Sequence, residues 1–402
     1  MMPRAGWNLE SHTPGANPSF ASFGYTYNPV GNILAILDQV NPAENRSHTY
    51  DALQRLKTGG TTGTAESYTY DLVGNRTTSF LSTTHTHNDL NRLLEDDQFT
   101  YTYDNNGNLT AKTNKANPTA VTTYHWDAQD QLIQINLPNS TTVTYKYDGL
   151  GRRIEKNVAG SITRYVYDGE DMLLEYDGSN TFRARYSHGD QVDQPLILQK
   201  AGLGFFYYHS NHQGSITHLT NSSGTVANSY LYDSYGRRLN VFESVVQPYS
   251  YTGREFDGES GLYYYRARYY DPTAGRFLSE DPIGFRAGDQ NLYNYVFNNP
   301  VNFIDPTGLV ELQFGPDIPP LPPPTDPNPG PACDVLGPPP PPLPPNPVRE
   351  SINNFVDQAN QAKTFDLGGP EGEIIIGAPV PIEGPLGQDS TGVGFTVTIP
   401  FN

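Results

Sequence analysis

Two stretches of the sequence carry the same four-residue frame, Asp281-Pro282-Ile283-Gly284 and Asp305-Pro306-Thr307-Gly308. Each puts a carboxylate at the head of a turn whose next residue has a fixed φ. Hydrolysis of a peptide bond needs an activated water and a proton for the leaving amine. Two carboxylates held close together cannot both ionise easily, so one can serve as base while the other serves as acid. Arg268, in the run Gly261-Leu262-Tyr263-Tyr264-Tyr265-Arg266-Ala267-Arg268, can set the carboxyl pKa values or bind a developing oxyanion. The same frame is also a good turn sequence, with Asp at i, Pro at i+1 and Gly at i+3. A purely structural role for either copy therefore stands beside the catalytic one.

The elements that must hold these groups come from a repeat. Tyr25-Thr26-Tyr27-Asn28, Tyr68-Thr69-Tyr70-Asp71, Tyr101-Thr102-Tyr103-Asp104, Tyr145-Lys146-Tyr147-Asp148, Tyr165-Val166-Tyr167-Asp168 and Tyr230-Leu231-Tyr232-Asp233 are copies of one unit. Weaker copies stand at His48-Thr49-Tyr50-Asp51, His85-Thr86-His87-Asn88 and Tyr124-His125-Trp126-Asp127. Between Tyr25 and Tyr165 the copies start 16 to 23 residues apart. Aromatics at i and i+2 share one face of a strand. The Asp or Asn that follows opens a turn by bonding its own backbone. A Gly three residues later, as in Asp148-Gly149-Leu150-Gly151, accepts a positive φ. Each unit is a β-hairpin with an aromatic face that it cannot bury alone, so neighbours must stack. The expected fold class is all-β: one continuous, curved antiparallel sheet of stacked hairpins from about residue 20 to residue 309. Tyrosine suits such a face because it buries a ring and keeps its hydroxyl wet.

This Tyr-Asp-x-x-Gly-Arg repeat resembles the YD repeat of Rhs proteins, of insecticidal toxin-complex C subunits and of the teneurin shell, over roughly residues 20 to 240. Residues 249–309 closely resemble the Rhs-associated core, through Gly275-Arg276-Phe277-Leu278-Ser279-Glu280-Asp281-Pro282 and the closing Asp305-Pro306-Thr307-Gly308-Leu309. The resemblance implies a spiralling β-sheet shell, a hollow cocoon with a variable effector after the core. It also implies that the shell itself cuts the junction. On that resemblance Asp281 and Asp305 are the aspartyl pair, Arg268 is their partner, and Leu309–Val310 is the bond cut. It also implies a secreted or cell-surface protein. Its partners would be its own C-terminal tail as cargo, a secretion apparatus or immunity protein, and glycans. No cofactor and no metal is called for.

Composition agrees with a repeat body. Gly, Pro and Tyr number 38, 35 and 28 in 402 residues, and turns and strands draw on these types. The formal net charge of −18 repels phosphate backbones, so the reading includes no nucleic-acid binding by the body. No window approaches 18 apolar residues, so no membrane span is expected. Met1 to Trp7 contains no apolar core of a signal peptide. A repeat begins by Tyr25, which suggests loss of an N-terminal part or export by a dedicated machine. Cys333 is the single cysteine and leaves the compartment open. His48, His85, His87 and His125 sit at or beside the aromatic positions of the repeat and read as core variants. His209 and His212 are spaced i, i+3, without the carboxylate arrangement of a zinc site.

The expected organisation is an N-terminal segment (1–24), hairpin repeats (25–248), the core (249–309), a proline-rich linker (310–347) and a variable tail (348–402). Roughly half of the residues from Pro316 to Pro347 are proline, which favours an extended spacer. The tail shows modest helical periodicity from Val348 to Asp366, with strands at Glu373–Ile376 and Val393–Ile399. It contains no histidine, which excludes His-based nuclease and deaminase sites there. Three function classes follow: a shell that carries an effector and frees it by a single-turnover aspartyl cleavage, a non-enzymatic cell-surface or wall protein contacting glycans or cells, and a truncated remnant with an inactive tail.

Overall fold

The computed structural model describes residues 21–309, apart from Thr62 and Gln191, together with the backbone of the short strand Leu312–Gln313. Most of the expected N-terminal segment, Val310, the proline-rich linker, and the expected helix and strands of the tail lie outside the described residues.

The all-β expectation holds, and the local reason is visible in most repeats. In the hairpin of strands Thr142–Tyr147 and Arg153–Val158, Asp148 Oδ1 accepts from the amides of Leu150 (2.9 Å) and Arg152 (3.0 Å). Gly151 then turns the chain at φ 82° and its amide returns to Asp148 O. Asp71 and Asp233 build the same turn around Gly74 and Gly236. Where the repeat lacks that glycine, Gln54, Asn91 and Asp130 take the left-handed conformation instead; Asn and Asp are types that tolerate it.

The strands form two long antiparallel ladders rather than one continuous sheet. One has 7 strands, from Phe23–Tyr27 to Arg76–Ser79, and the other has 16, from His85–His87 to Arg238–Glu243. The break follows from local bonding at residues 79–84. Ser79 and Ser82 pair with each other across a tight turn, and Asp97 captures the amide of Thr83 and the hydroxyls of Thr83 and Thr84. The first hairpins nevertheless meet the last: Tyr25 packs edge-on against His212, and Glu66 accepts from the amide of Ser234.

The paired aromatics share one face, as their spacing requires. Tyr145 and Tyr147 join one hydrophobic cluster, and Tyr165 and Tyr167 join another. The hydroxyl of the second aromatic does not stay wet. Tyr50, Tyr70, Tyr147, Tyr167 and Tyr232 each donate to a backbone carbonyl of the preceding hairpin, those of Ile33, Leu56, Leu132, Arg153 and Ile216, at 2.6–2.8 Å. Trp126 Nε1 does the same to Leu109 O. At each of these second aromatics a β-bulge shifts the register. One side-chain hydrogen bond thus ties each of these hairpins to its neighbour.

Residues 249–309 cover this aromatic face with four short strands, Glu255–Asp257, Leu262–Tyr265, Arg268–Asp271 and Arg276–Phe277. Tyr251, Tyr263, Tyr265, Tyr270 and Tyr295 lie in one cluster with Tyr165, Tyr186 and Tyr232 of the hairpins. Tyr264, Tyr269 and Leu278 lie in a second cluster with Tyr101, Tyr124 and Tyr145. Aromatic burial on this scale supplies much of the cohesion.

Two glycines test the contact between hairpin and core. Gly160 (φ 96°) has open space where a Cβ would stand, whereas at Gly236 (φ 88°) a Cβ would lie 2.4 Å from Tyr251 Cδ1. Gly160→Ala should cost only the backbone strain, about 1–2 kcal/mol. Gly236→Ala should cost roughly a further 1–3 kcal/mol for overpacking a buried ring. Urea unfolding of the two variants measures the difference.

Candidate active site

Arg268 begins the strand Arg268–Asp271, just after a tight turn in which Arg266 adopts φ 58°. This hairpin holds the second Asp-Pro turn against itself. The amide of Ala267 donates to Thr307 O (3.2 Å), Arg266 Nη1 donates to Pro306 O, and Arg268 Nε donates to Gly308 O. Gly308 is at φ 72°, and a Cβ there would strike Tyr265 O at 2.3 Å. Only glycine fits at that position.

The same guanidinium gathers both aspartates. Arg268 Nη2 lies 2.9 Å from Asp281 Oδ2 and 3.3 Å from Asp305 Oδ2, and all three side chains are buried. Nη1 donates to Leu292 O (3.1 Å), and the guanidinium carbon Cζ stands over the Phe277 ring, 3.6 Å from its centroid. The three residues singled out from the sequence are therefore brought together.

The two turns differ in detail. In the first, Gly284 N closes on Asp281 O (2.8 Å) and Asp281 Oδ1 accepts from Ile283 N. In the second, Asp305 Oδ1 reaches past its turn to accept from Leu309 N at 3.0 Å. Asp305 thus holds the residue at the expected cut. Leu309 is described and half-buried; Val310, on the other side of the bond, is outside the described residues.

A third carboxylate escaped the sequence reading. Asp289 lines the same small cavity as Arg268, Asp281, Asp305 and Leu309. It accepts from Asn291 N (2.8 Å) and Asn294 Nδ2 (3.0 Å). Its only mark in the sequence is an Asp two residues before an Asn, a common turn pattern. The cavity measures about 20 Å³, room for one water. Burial pushes the Asp281 carboxyl up; Arg268 opposes this, and Asp305 and Asp289 add to the rise. Burial also pushes Asp289 up. Three carboxylates around one guanidinium favour a proton within the group. The arrangement has the parts for acid–base hydrolysis: a carboxyl whose pKa burial raises, a second carboxylate and a fixed cation.

A family model described as Teneurin YD-shell matches residues 18–301.

The chain belongs to this family.

This YD-shell chain is 36% identical over 263 residues to the tRNA nuclease WapA of Bacillus subtilis, covering 61% of this chain and 11% of that one. It is 28% identical over 320 residues to double-stranded DNA deaminase toxin A of Burkholderia cenocepacia, covering 71% of this chain and 22% of that one. Among solved structures, TcdB2-TccC3-TEV superposes with a TM-score of 0.56 at 22% identity, over 75% of this chain and 18% of that chain; this likeness concerns the fold. The chain thus spans less than a quarter of the length of these relatives.

The histidines noted in the sequence lie elsewhere. His209 Nε2 bonds Thr220 Oγ1 and His212 Nε2 bonds Val301 O. No helix among the described residues is long and apolar enough to cross a membrane.

Proposed function

We propose that this YD-shell chain carries the polypeptide that follows Leu309 and frees it by one intramolecular cleavage of Leu309–Val310. The observation that carries the reading is the double grip on the junction: Arg268 Nη2 bridges Asp281 and Asp305 while the other oxygen of Asp305 holds Leu309 N. A water in the small cavity attacks the Leu309 carbonyl carbon and gives its proton to Asp305. Arg268 faces the oxyanion that develops on the carbonyl oxygen. Asp281, which burial keeps protonated to higher pH, passes its proton to the Val310 nitrogen as the C–N bond breaks. The products are a Leu309 carboxylate and a Val310 amine, and each chain reacts once.

Two relatives named as a nuclease and a deaminase toxin support an effector as the cargo in this family. In this chain the cargo is the chain's own residues from Val310 onward. A secreted or cell-surface setting, with an export apparatus and an immunity protein as partners, accords with that role. The mass of the purified 402-residue chain tests the reading: a fragment ending at Leu309 is expected, and a chain intact at 44.4 kDa after folding rejects it.

Asp289 gives a finer expectation. Its negative charge raises the pKa of Asp281, so Asp289→Asn should lower that pKa. The rate needs protonated Asp281, so its alkaline limb should move to lower pH. Refolding uncut precursor from urea over a pH series, and following the fragment, measures the shift. An unmoved limb removes Asp289 from the mechanism.

A further inference from the structure

The second Asp-Pro turn is gripped along its whole length. Three successive residues of the core, Arg266, Ala267 and Arg268, donate to three successive carbonyls, those of Pro306, Thr307 and Gly308. Ala267 uses its backbone amide, and Arg268 is engaged with the aspartates. Arg266 is the link that reaches outward, to Asp193. Its Nη2 lies 2.8 Å from Asp193 Oδ1 and its Nη1 lies 3.3 Å from Asp193 Oδ2. Nη1, the nitrogen that also donates to Pro306 O, is thereby aimed by a two-point fork.

Asp193 belongs to the repeat hairpins, 73 residues before Arg266, in the loop between the strands Phe182–His188 and Pro195–Lys200. Its side chain is buried and takes a second guanidinium, with Arg254 Nη1 at 2.5 Å. Arg254 in turn donates through Nε and Nη2 to Tyr264 O, the carbonyl two residues before Arg266. The loop backbone is fixed as well. Gly189 N closes on Gln194 O (2.9 Å), Asp193 is at φ 55°, and a Cβ on Gly253 would stand 2.4 Å from Asp193 O. A buried ion group of this kind is weak support for stability. Here it fixes the position of Pro306 O, three residues before the expected cut. We propose that Asp193 is a positioning residue for the cleavage: by orienting Arg266 it holds Pro306 O, and with it the Leu309 carbonyl, within reach of Asp281 and Asp305. This rests on the cleavage reading above. It makes the cut depend on a docked repeat hairpin, so the chain is severed only after the shell wall has folded against the core.

The test refolds the uncut full-length precursor from urea and follows the fragment ending at Leu309 by mass, once circular dichroism shows that folding is complete. Asp193→Asn suits the left-handed backbone and loses the charge. Arg266→Met loses the donor to Pro306 O. Each should slow the cut roughly ten- to a hundredfold, the scale of a reacting group displaced by about 1 Å. Arg266→Lys, which can still donate to Pro306 O, should recover part of the rate. The double variant should be no slower than Arg266→Met alone, because Asp193 acts through that guanidinium. A merely structural ion group would instead lower the melting temperature and leave the folded chain's rate unchanged. If Asp193→Asn fails to fold, Arg266→Met, which leaves Asp193 paired with Arg254, still decides. If the unaltered chain stays whole, the cleavage reading and this proposal fall together. If the unaltered chain is cut and a folded single variant is cut equally fast, or the two effects multiply, the positioning role alone is overturned.

Discussion

Asp305→Asn should leave the purified chain in one piece, while the unaltered chain yields a fragment ending at Leu309. The expected loss is at least about a hundredfold in cleavage rate, because an amide cannot take up and return a proton. The fold should survive. Asn also suits the head of a turn, and its carbonyl oxygen can still accept from Leu309 N, the bond that Asp305 Oδ1 makes at 3.0 Å. Equal melting temperatures for the two chains would separate lost chemistry from lost structure. Arg268→Lys should slow the cut without abolishing it. An ammonium retains the charge but not the fork that now reaches Asp281, Asp305, Gly308 O and Leu292 O together. If Asp305→Asn and the unaltered chain are both cut at Leu309, another residue or another protease does the work. If both stay whole, the aspartates serve only as turn residues.

The second large effect is on stability. Arg153, in a hairpin strand and 1% exposed, donates to Asp257 and Glu255 of the core segment at 2.5 and 2.7 Å. Its guanidinium also lies over Tyr264, 4.5 Å from the ring centroid. Arg153→Met keeps most of the volume and strands two buried carboxylates, with only Lys156 left to offset Asp257. Removing one side of a buried ion pair costs about 3–5 kcal/mol. By contrast, Arg183→Met breaks an exposed pair with Asp177 and should cost about 0–1 kcal/mol. Chemical denaturation of both variants makes the comparison. Acid should mimic the loss. Burial pushes Asp257 up, yet Arg153 and Lys156 outweigh it and hold the carboxyl down at about 2, against 3.8 for a free aspartate. A depressed carboxyl contributes stability above its unfolded pKa and loses it as pH falls toward the folded value. Denaturation midpoints should therefore fall between pH 4 and pH 2, and less steeply in Arg153→Met.

Much of this molecule was legible in its sequence because the controlling interactions are short. An Asp that caps the amides two and four residues ahead, and a Gly that turns at positive φ, are decided within one hairpin, so the repeats predicted hairpins with paired rings on one face. The Asp-Pro turns and Arg268 were legible as motifs, and the structure places them in one group. Asp289 was not, because an Asp in a common turn pattern has nothing to mark it until the fold carries it to the cavity.

Other features depend on the sum of many strands. The sheet breaks after Ser79 because a local turn and Asp97 compete with the ladder, a balance that periodicity does not record. The second tyrosine of five repeats donates to a carbonyl of the hairpin before it, which no single unit can reveal. Arg153 finds Asp257 104 residues away, and Glu66 meets Ser234 168 residues away. Sequence by itself determined the hairpin, its aromatic face and the two Asp-Pro turns, because each rests on bonds between near neighbours in the chain. Tertiary structure alone decided which faces meet, which charges are buried together and where the cavities lie. Those depend on twist and register accumulated over 23 strands in the two long ladders, and on a core segment that packs against the rings of many of them.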